Sequence, residues 1–214
     1  MTTHPTWDLP TRLFHWLLVV CVGLAWLSHE QDWIEVHLWT GYTVLVLVVF
    51  RIFWGVFGSV HSRFSDFVRS PVEALRYLRY GGEDGPGHNP AGGWSVLVLL
   101  TLLLVQALSG LFNSDGILFD GPLYHALDSS LTDKLGELHD QLYWVILGFV
   151  GLHVAAVLYY QLLKQRPLIG AMISGGHAGS GAPVSSWRAV LIVVVCCGAL
   201  ALAVYLAPEP DLPW

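Results

Sequence analysis

Four histidines, His15, His37, His139 and His153, lie within or at the ends of long apolar runs. An imidazole in hydrocarbon is costly unless its nitrogens are satisfied, so each asks for a partner. His139 and His153 share the run "LHDQLYWVILGFVGLHVAA" and stand fourteen residues apart. At 1.5 Å per residue this separates them by about 21 Å along a helix axis. Fourteen steps of about 100° fall roughly 40° short of whole turns, so both rings leave nearly the same face. Such histidines could bind a metal centre or relay protons.

The runs that carry them set their depths. About 20 apolar residues cross a bilayer core, and five segments qualify, near 10–29, 37–57, 94–112, 139–163 and 187–207. The chain has 214 residues, is 54% hydrophobic and only 12% charged, and holds ten tryptophans. Soluble domains carry about 25% charged residues, and tryptophan suits the membrane interface. The composition therefore reads as an all-α integral membrane protein. The first run, "RLFHWLLVVCVGLAWLSHE", has no small-x-small cleavage pattern after it and reads as a retained span. A net charge of −6 without a basic, aromatic-interleaved patch excludes nucleic-acid binding. Cys21, Cys196 and Cys197 form no disulfide or zinc spacing, and no C-x-x-C-H occurs for covalently attached haem.

With five alternating spans, Arg12, Arg63, Arg69, Arg76, Arg79, Lys164, Arg166 and Arg188 fall on one side. Lys134 stands alone on the other, among Asp115, Asp120, Asp128, Asp133, Glu137, Asp140, Glu209 and Asp211. The positive-inside rule then predicts a cytoplasmic amino terminus and a carboxyl terminus on the outer side. Between the second and third spans, Ser70-Pro71 opens "VEALRYLRY", an expected interfacial helix. The expected organisation is a four-helix domain over 1–170, a flexible linker over 171–186, a fifth transmembrane helix over 187–207 and a short tail over 208–214.

On this topology the four histidines make two pairs. His37 opens the second span and His139 the fourth, both entered from outside, so they share the outer level. His15 and His153 share the inner level. Opposed imidazoles at one depth in a helix bundle suit a six-coordinate haem iron, whereas structural zinc wants four nitrogen or sulfur ligands. Gly41, one turn from His37, together with Gly23, Gly110, Gly148 and Gly151, offers clearance for a flat cofactor or for close helix packing. Arg51, fourteen residues after His37, projects at the inner level, where a haem propionate would give it a bidentate counter-ion and snorkelling is the alternative. His4, His61, His88, His125 and His177 read as loop or tail residues, and His29 as a solvated one. Gln106, Ser109 and Asn113 are candidate polar contacts near a haem.

The motifs "PTRLFHWLLV", "HLWTGYTVLVLVVFR" and "LHDQLYWVILGFVGLHVAA", spanning roughly residues 7–170, resemble the bacterial cytochrome b561 family. That family is di-haem and includes the b-type cytochrome subunits of nickel-iron hydrogenases and formate dehydrogenases. The resemblance implies a four-helix bundle binding two non-covalent, bis-histidine haems b, with His15, His153, His37 and His139 as iron ligands. It further implies electron transfer between the membrane quinone pool and a redox partner such as a periplasmic c-type cytochrome. The fifth span and the tail "APEPDLPW" depart from the four-helix form. Two other readings remain open: a membrane-anchor subunit of a hydrogenase or dehydrogenase, and a haem-free transporter with proton- or metal-carrying histidines.

Overall fold

A computed structural model describes residues 7–82, 88–116, 119–175 and 186–208. His4, His177, most of the expected linker and the tail from residue 209 lie outside them. The described residues are helical apart from their turns and one isolated bridge between Ser114 and Asp120.

Five helices are long and apolar enough to cross a membrane: α1 (Leu9–Glu30), α2 (Ile34–Phe57), α5 (Pro90–Gly110), α6 (Ser129–Leu158, continued by a π turn over Tyr159–Leu163) and α8 (Ser186–Tyr205). Between them lie a one-turn helix α3 (Phe64–Phe67), the interfacial helix α4 (Pro71–Tyr80) and α7 (Leu168–Ser174). The first four residues of the expected linker thus complete α7.

Local chemistry fixes the starts. Asp8 caps α1 by accepting from Thr11 N at 2.8 Å, with Pro10 in the first turn. Ser70 and Asn89 cap α4 and α5 in the same way, each followed by proline. Asp128 caps α6 by accepting from Leu131 N at 3.1 Å. The fourth span therefore begins ten residues before the expected position 139. Leu131, Leu135, Leu138 and Leu142 recur at helical spacing while mostly charged and polar residues fill the positions between them, so an amphipathic opening precedes the apolar run. His139 consequently sits well inside the helix rather than at its mouth.

Helix α2 is central. Val48, Phe50 and Trp54 on it are nearly inaccessible and join Phe14 and Cys21 of α1, Leu100 and Leu103 of α5, Ile146 of α6 and Ala189 of α8 in one core. α1 packs on α2, α2 on α5 and α8, and α5 on α6. α6 makes no comparable helix contact with α1 or α2; residues at the level of its His139 bridge to them instead. Large apolar side chains such as Trp144, Leu152, Val194 and Leu202 point outward, as lipid-facing helices require.

Candidate haem-binding levels

The α1–α2 connection is tight, with Asp32 in the left-handed region at φ 55°. It returns the chain so that His37 of α2 lies against the last turns of α1. His37 Nδ1 is 3.0 Å from the Ala25 carbonyl and 3.4 Å from Ser28 Oγ. On the other side of the bundle, His139 Nδ1 is 2.9 Å from the Gln106 carbonyl and 3.3 Å from Ser109 Oγ. A carbonyl can only accept, so each Nδ1 carries its ring's proton and each Nε2 presents a lone pair. Orientation of a ligating imidazole by its other nitrogen is the usual supporting contact at a metal.

The two rings lie edge-on to one another, with centroids 6.2 Å apart and planes 82° apart. Metal–nitrogen bonds of about 2.0 Å, plus the ring radii, set two axial imidazoles roughly 6 Å apart between centroids. Among the described residues no three His, Cys, Asp or Glu side chains converge on a metal-sized site. Two nitrogens suit a metal whose remaining ligands come from a planar cofactor, and they do not suit tetrahedral zinc.

Gly110 makes this placement possible. A Cβ there would come within 2.8 Å of His139 Cε1, so only glycine lets the ring lie against α5. A Cβ at Gly23, Gly41, Gly148 or Gly151 would meet no atom within 4 Å. These four are therefore not glycines of close helix packing; each borders open space, and Gly23, Gly148 and Gly151 are exposed. Gln106 also donates from Nε2 to the His139 carbonyl at 3.0 Å, locking α5 to α6 at this level. Asn113, by contrast, accepts from Ser114 N and shapes the loop after α5.

His29, read from sequence as a solvated residue, joins this level: its ring is 6.1 Å from that of His37 and 5.8 Å from that of Tyr143. Tyr143 reaches Glu30 at 3.4 Å, a further link from α6 to α1.

The second level lies toward the N-terminal end of α1. His15 and His153 are within electrostatic range of one another, and His15 Nδ1 is shielded with no partner among the described residues. Arg51 is 3% exposed, its guanidinium carbon 4.9 Å from the Phe64 ring centre and 5.9 Å from that of Phe67. Its Nη1 also has no partner among the described residues. Asp8 is close enough to act on it electrostatically, but the two form no ion pair. This is a buried cation rather than a snorkelling one.

Asp8 is occupied elsewhere. Its Oδ2 accepts from Trp54 Nε1 at 2.9 Å and from Ser62 Oγ at 2.8 Å, and it also accepts from Ser59. Burial alone would raise this carboxyl, but the hydrogen bonds from Ser59, Thr11 and Ser62 outweigh it and hold it below 3.8.

His88 lies in the loop before α5, as expected, but it is packed rather than free. It precedes the Asn89 cap of α5 and stands beside the His15–His153 level. Its ring stacks on Phe67 at 4.3 Å and meets Trp7 edge-on at 4.6 Å. Burial, then Arg51 and His153, push its pKa down to about 3, so the ring is neutral at neutral pH.

Residues 6–175 match the prokaryotic cytochrome b561 family. A relative from Rhizobium leguminosarum bv. viciae, described as a probable Ni/Fe-hydrogenase B-type cytochrome subunit, is 23% identical over 206 residues, covering 79% of this chain and 86% of the relative. No solved structure matches significantly. With five apolar helices and a family match across four of them, the chain belongs to the prokaryotic cytochrome b561 family: it is a multi-pass membrane b-type cytochrome with a role in electron transport.

Proposed function

We propose that the chain conducts electrons across the membrane through two haems b, each held by two histidines. His37 and His139 would hold the iron of one haem, and His15 and His153 that of the other. Gly41 clears space beside the first, and Arg51 offsets propionate charge at the second. The observation that carries this is the His37–His139 arrangement: rings 6.2 Å apart, each fixed through Nδ1 to a backbone carbonyl. When bound, haem supplies a reversible one-electron couple. The protein sets ligand identity, ring orientation and the dielectric around each iron.

The His15–His153 level is the cytoplasmic one on the distribution of Lys and Arg, which also puts the His37–His139 level toward the periplasm. Electrons would pass between the membrane quinone pool and a periplasmic redox partner. The haem domain comprises residues 1–170, with α8 as an added span packed on α2.

The test is the haem-to-protein ratio of single His→Ala variants. His37→Ala and His139→Ala should each lose the same haem, and His15→Ala and His153→Ala the other. Retention of both haems in any of the four sinks the assignment of that residue.

A second reading is favoured by the relative's description: the chain anchors a hydrogenase-type enzyme and connects it to the quinone pool. Co-purification of a large iron–sulfur partner from native membranes would favour the anchor; a haem protein isolated alone and reducible by quinol would favour the free-standing carrier.

A further inference from the structure

Of the shielded nitrogens around the His15–His153 level that have no partner among the described residues, which include His15 Nδ1, two lie outside the proposed iron ligands: Arg51 Nη1, which can only donate, and His88 Nδ1, which donates in the tautomer protonated there. They are not independent. Phe67 carries both, with the His88 imidazole stacked on its ring at 4.3 Å and the Arg51 guanidinium carbon 5.9 Å from its centre. Phe64 holds the guanidinium from another direction at 4.9 Å, and Trp7 closes on His88 at 4.6 Å. Although part of the His88 residue is accessible, Nδ1 itself is shielded.

A shielded donor without an acceptor is costly, and Arg51 and His88 place their unsatisfied nitrogens in one region. Aromatic rings hold each one without satisfying its N–H groups. His88 is also within electrostatic range of both Arg51 and His153, so the donors and the proposed axial ligand share one neighbourhood. A planar, anionic acceptor able to take hydrogen bonds from a guanidinium and an imidazole together is a carboxylate. Asp8 does not serve, because its oxygens are engaged by Trp54, Ser59, Ser62 and Thr11.

We infer that His88 is a cofactor-positioning residue that, with Arg51, donates to a propionate carboxylate of the haem bound at the His15–His153 level. The inference rests on the reading of His15 and His153 as that haem's ligands. The entry into α5 then does more than start a span. The Asn89 cap and Pro90 fix the first turn of the helix, and the residue just before them is thereby aimed inward. Arg51 keeps the carboxylate ionised and His88 spreads its charge. Without His88, more of that negative charge acts on the iron and favours the ferric state.

The test is an equilibrium redox titration of the purified holoprotein, with the two haems resolved and haem content measured. His88→Phe keeps a flat ring between Trp7 and Phe67 but removes the donor. His88→Gln restores a donor. We expect His88→Phe to retain both haems and to shift the reduction equilibrium of one haem about tenfold toward the oxidised form, about 59 mV for one electron. The haem at His37 and His139 should be unchanged, and His88→Gln should recover most of the shift. Wild-type titration of His88→Phe at full haem content would overturn the proposal and leave His88 a packing residue. If His88→Phe fails to retain that haem, His88→Gln decides: a haem at or near its normal potential upholds the donor, and loss of the haem there as well overturns it. Failure of the underlying ligand assignment is seen separately, as an unchanged haem content in His15→Ala and His153→Ala.

Discussion

His37 and His139 approach across the bundle to 6.2 Å between ring centroids, and neither is held by its own helix. His37, on α2, is anchored to the Ala25 carbonyl of α1; His139, on α6, is anchored to the Gln106 carbonyl of α5. Four helices thus meet at one pair of rings. Because both anchors are main-chain carbonyls, no side-chain replacement at Ala25 or Gln106 deletes them. The ring orientations depend chiefly on helix positions, with Ser28 and Ser109 as the longer side-chain contacts.

The glycines around this level divide by what a methyl group would meet. Gly110→Ala puts a Cβ within 2.8 Å of His139 Cε1. Overpacking of this kind costs about 1–3 kcal/mol, so His139 should be displaced and haem content should fall toward one per chain. Gly41→Ala meets no protein atom within 4 Å and should gain up to about 1 kcal/mol of helix propensity. Gly41→Leu should then lower haem content while leaving helical circular dichroism unchanged. Full haem content in Gly41→Leu would show that Gly41 faces lipid.

Asp8 ties the start of α1 to the end of α2 and the turn after it. Asp8→Ala removes the cap, about 0.5–2 kcal/mol, and strands the Trp54 indole N–H, a further ~1–3 kcal/mol. Thermal melting in detergent should register the sum as a lower Tm. Since the folded carboxyl sits below 3.8, the unfolded chain takes up the proton first. The stabilisation is therefore complete above about pH 4–5 and lost as pH falls through the folded value. A plot of Tm against pH should drop in that acid range for the wild-type protein and drop less for Asp8→Asn.

The loop after α5 and the opening of α6 carry Asp120, Asp128, Asp133, Glu137 and Asp140 near the His37–His139 level. If a cationic soluble cytochrome docks there, replacing Asp133, Glu137 and Asp140 with lysine should slow electron transfer at low salt and flatten its dependence on ionic strength, since steering is screened beyond about 10 Å at 0.1 M. An unchanged salt dependence removes this face from the docking surface.

The spans are legible in the sequence because apolar length decides what can cross a bilayer, and the histidines because a fourteen-residue spacing repeats a helix face. The fourth span's start is not, since the amphipathic turns from Ser129 to Leu138 carry too many charges to read as membrane and are fixed instead by the Asp128 cap. The supports of His37 and His139 are backbone carbonyls, which no residue type announces. Ser109 and Gln106 stand out as polar side chains near a haem, yet the Gln106 carbonyl makes the shortest bond to His139 Nδ1. The packing of His88 escapes sequence reasoning: it lies in a loop, as expected, and only the return of the chain brings its ring against Phe67. His29 is exposed, as expected, yet its ring comes within 6.1 Å of that of His37.

Among the transmembrane segments α6 leans mainly on α5, and it reaches the α1–α2 hairpin through His139 and Tyr143 rather than through a packed seam. A prosthetic group gripped from both sides would act as mortar between two half-walls. On that reading, biogenesis would divide into insertion of the spans and a later sideways closure within the lipid, with cofactor supply governing the second step.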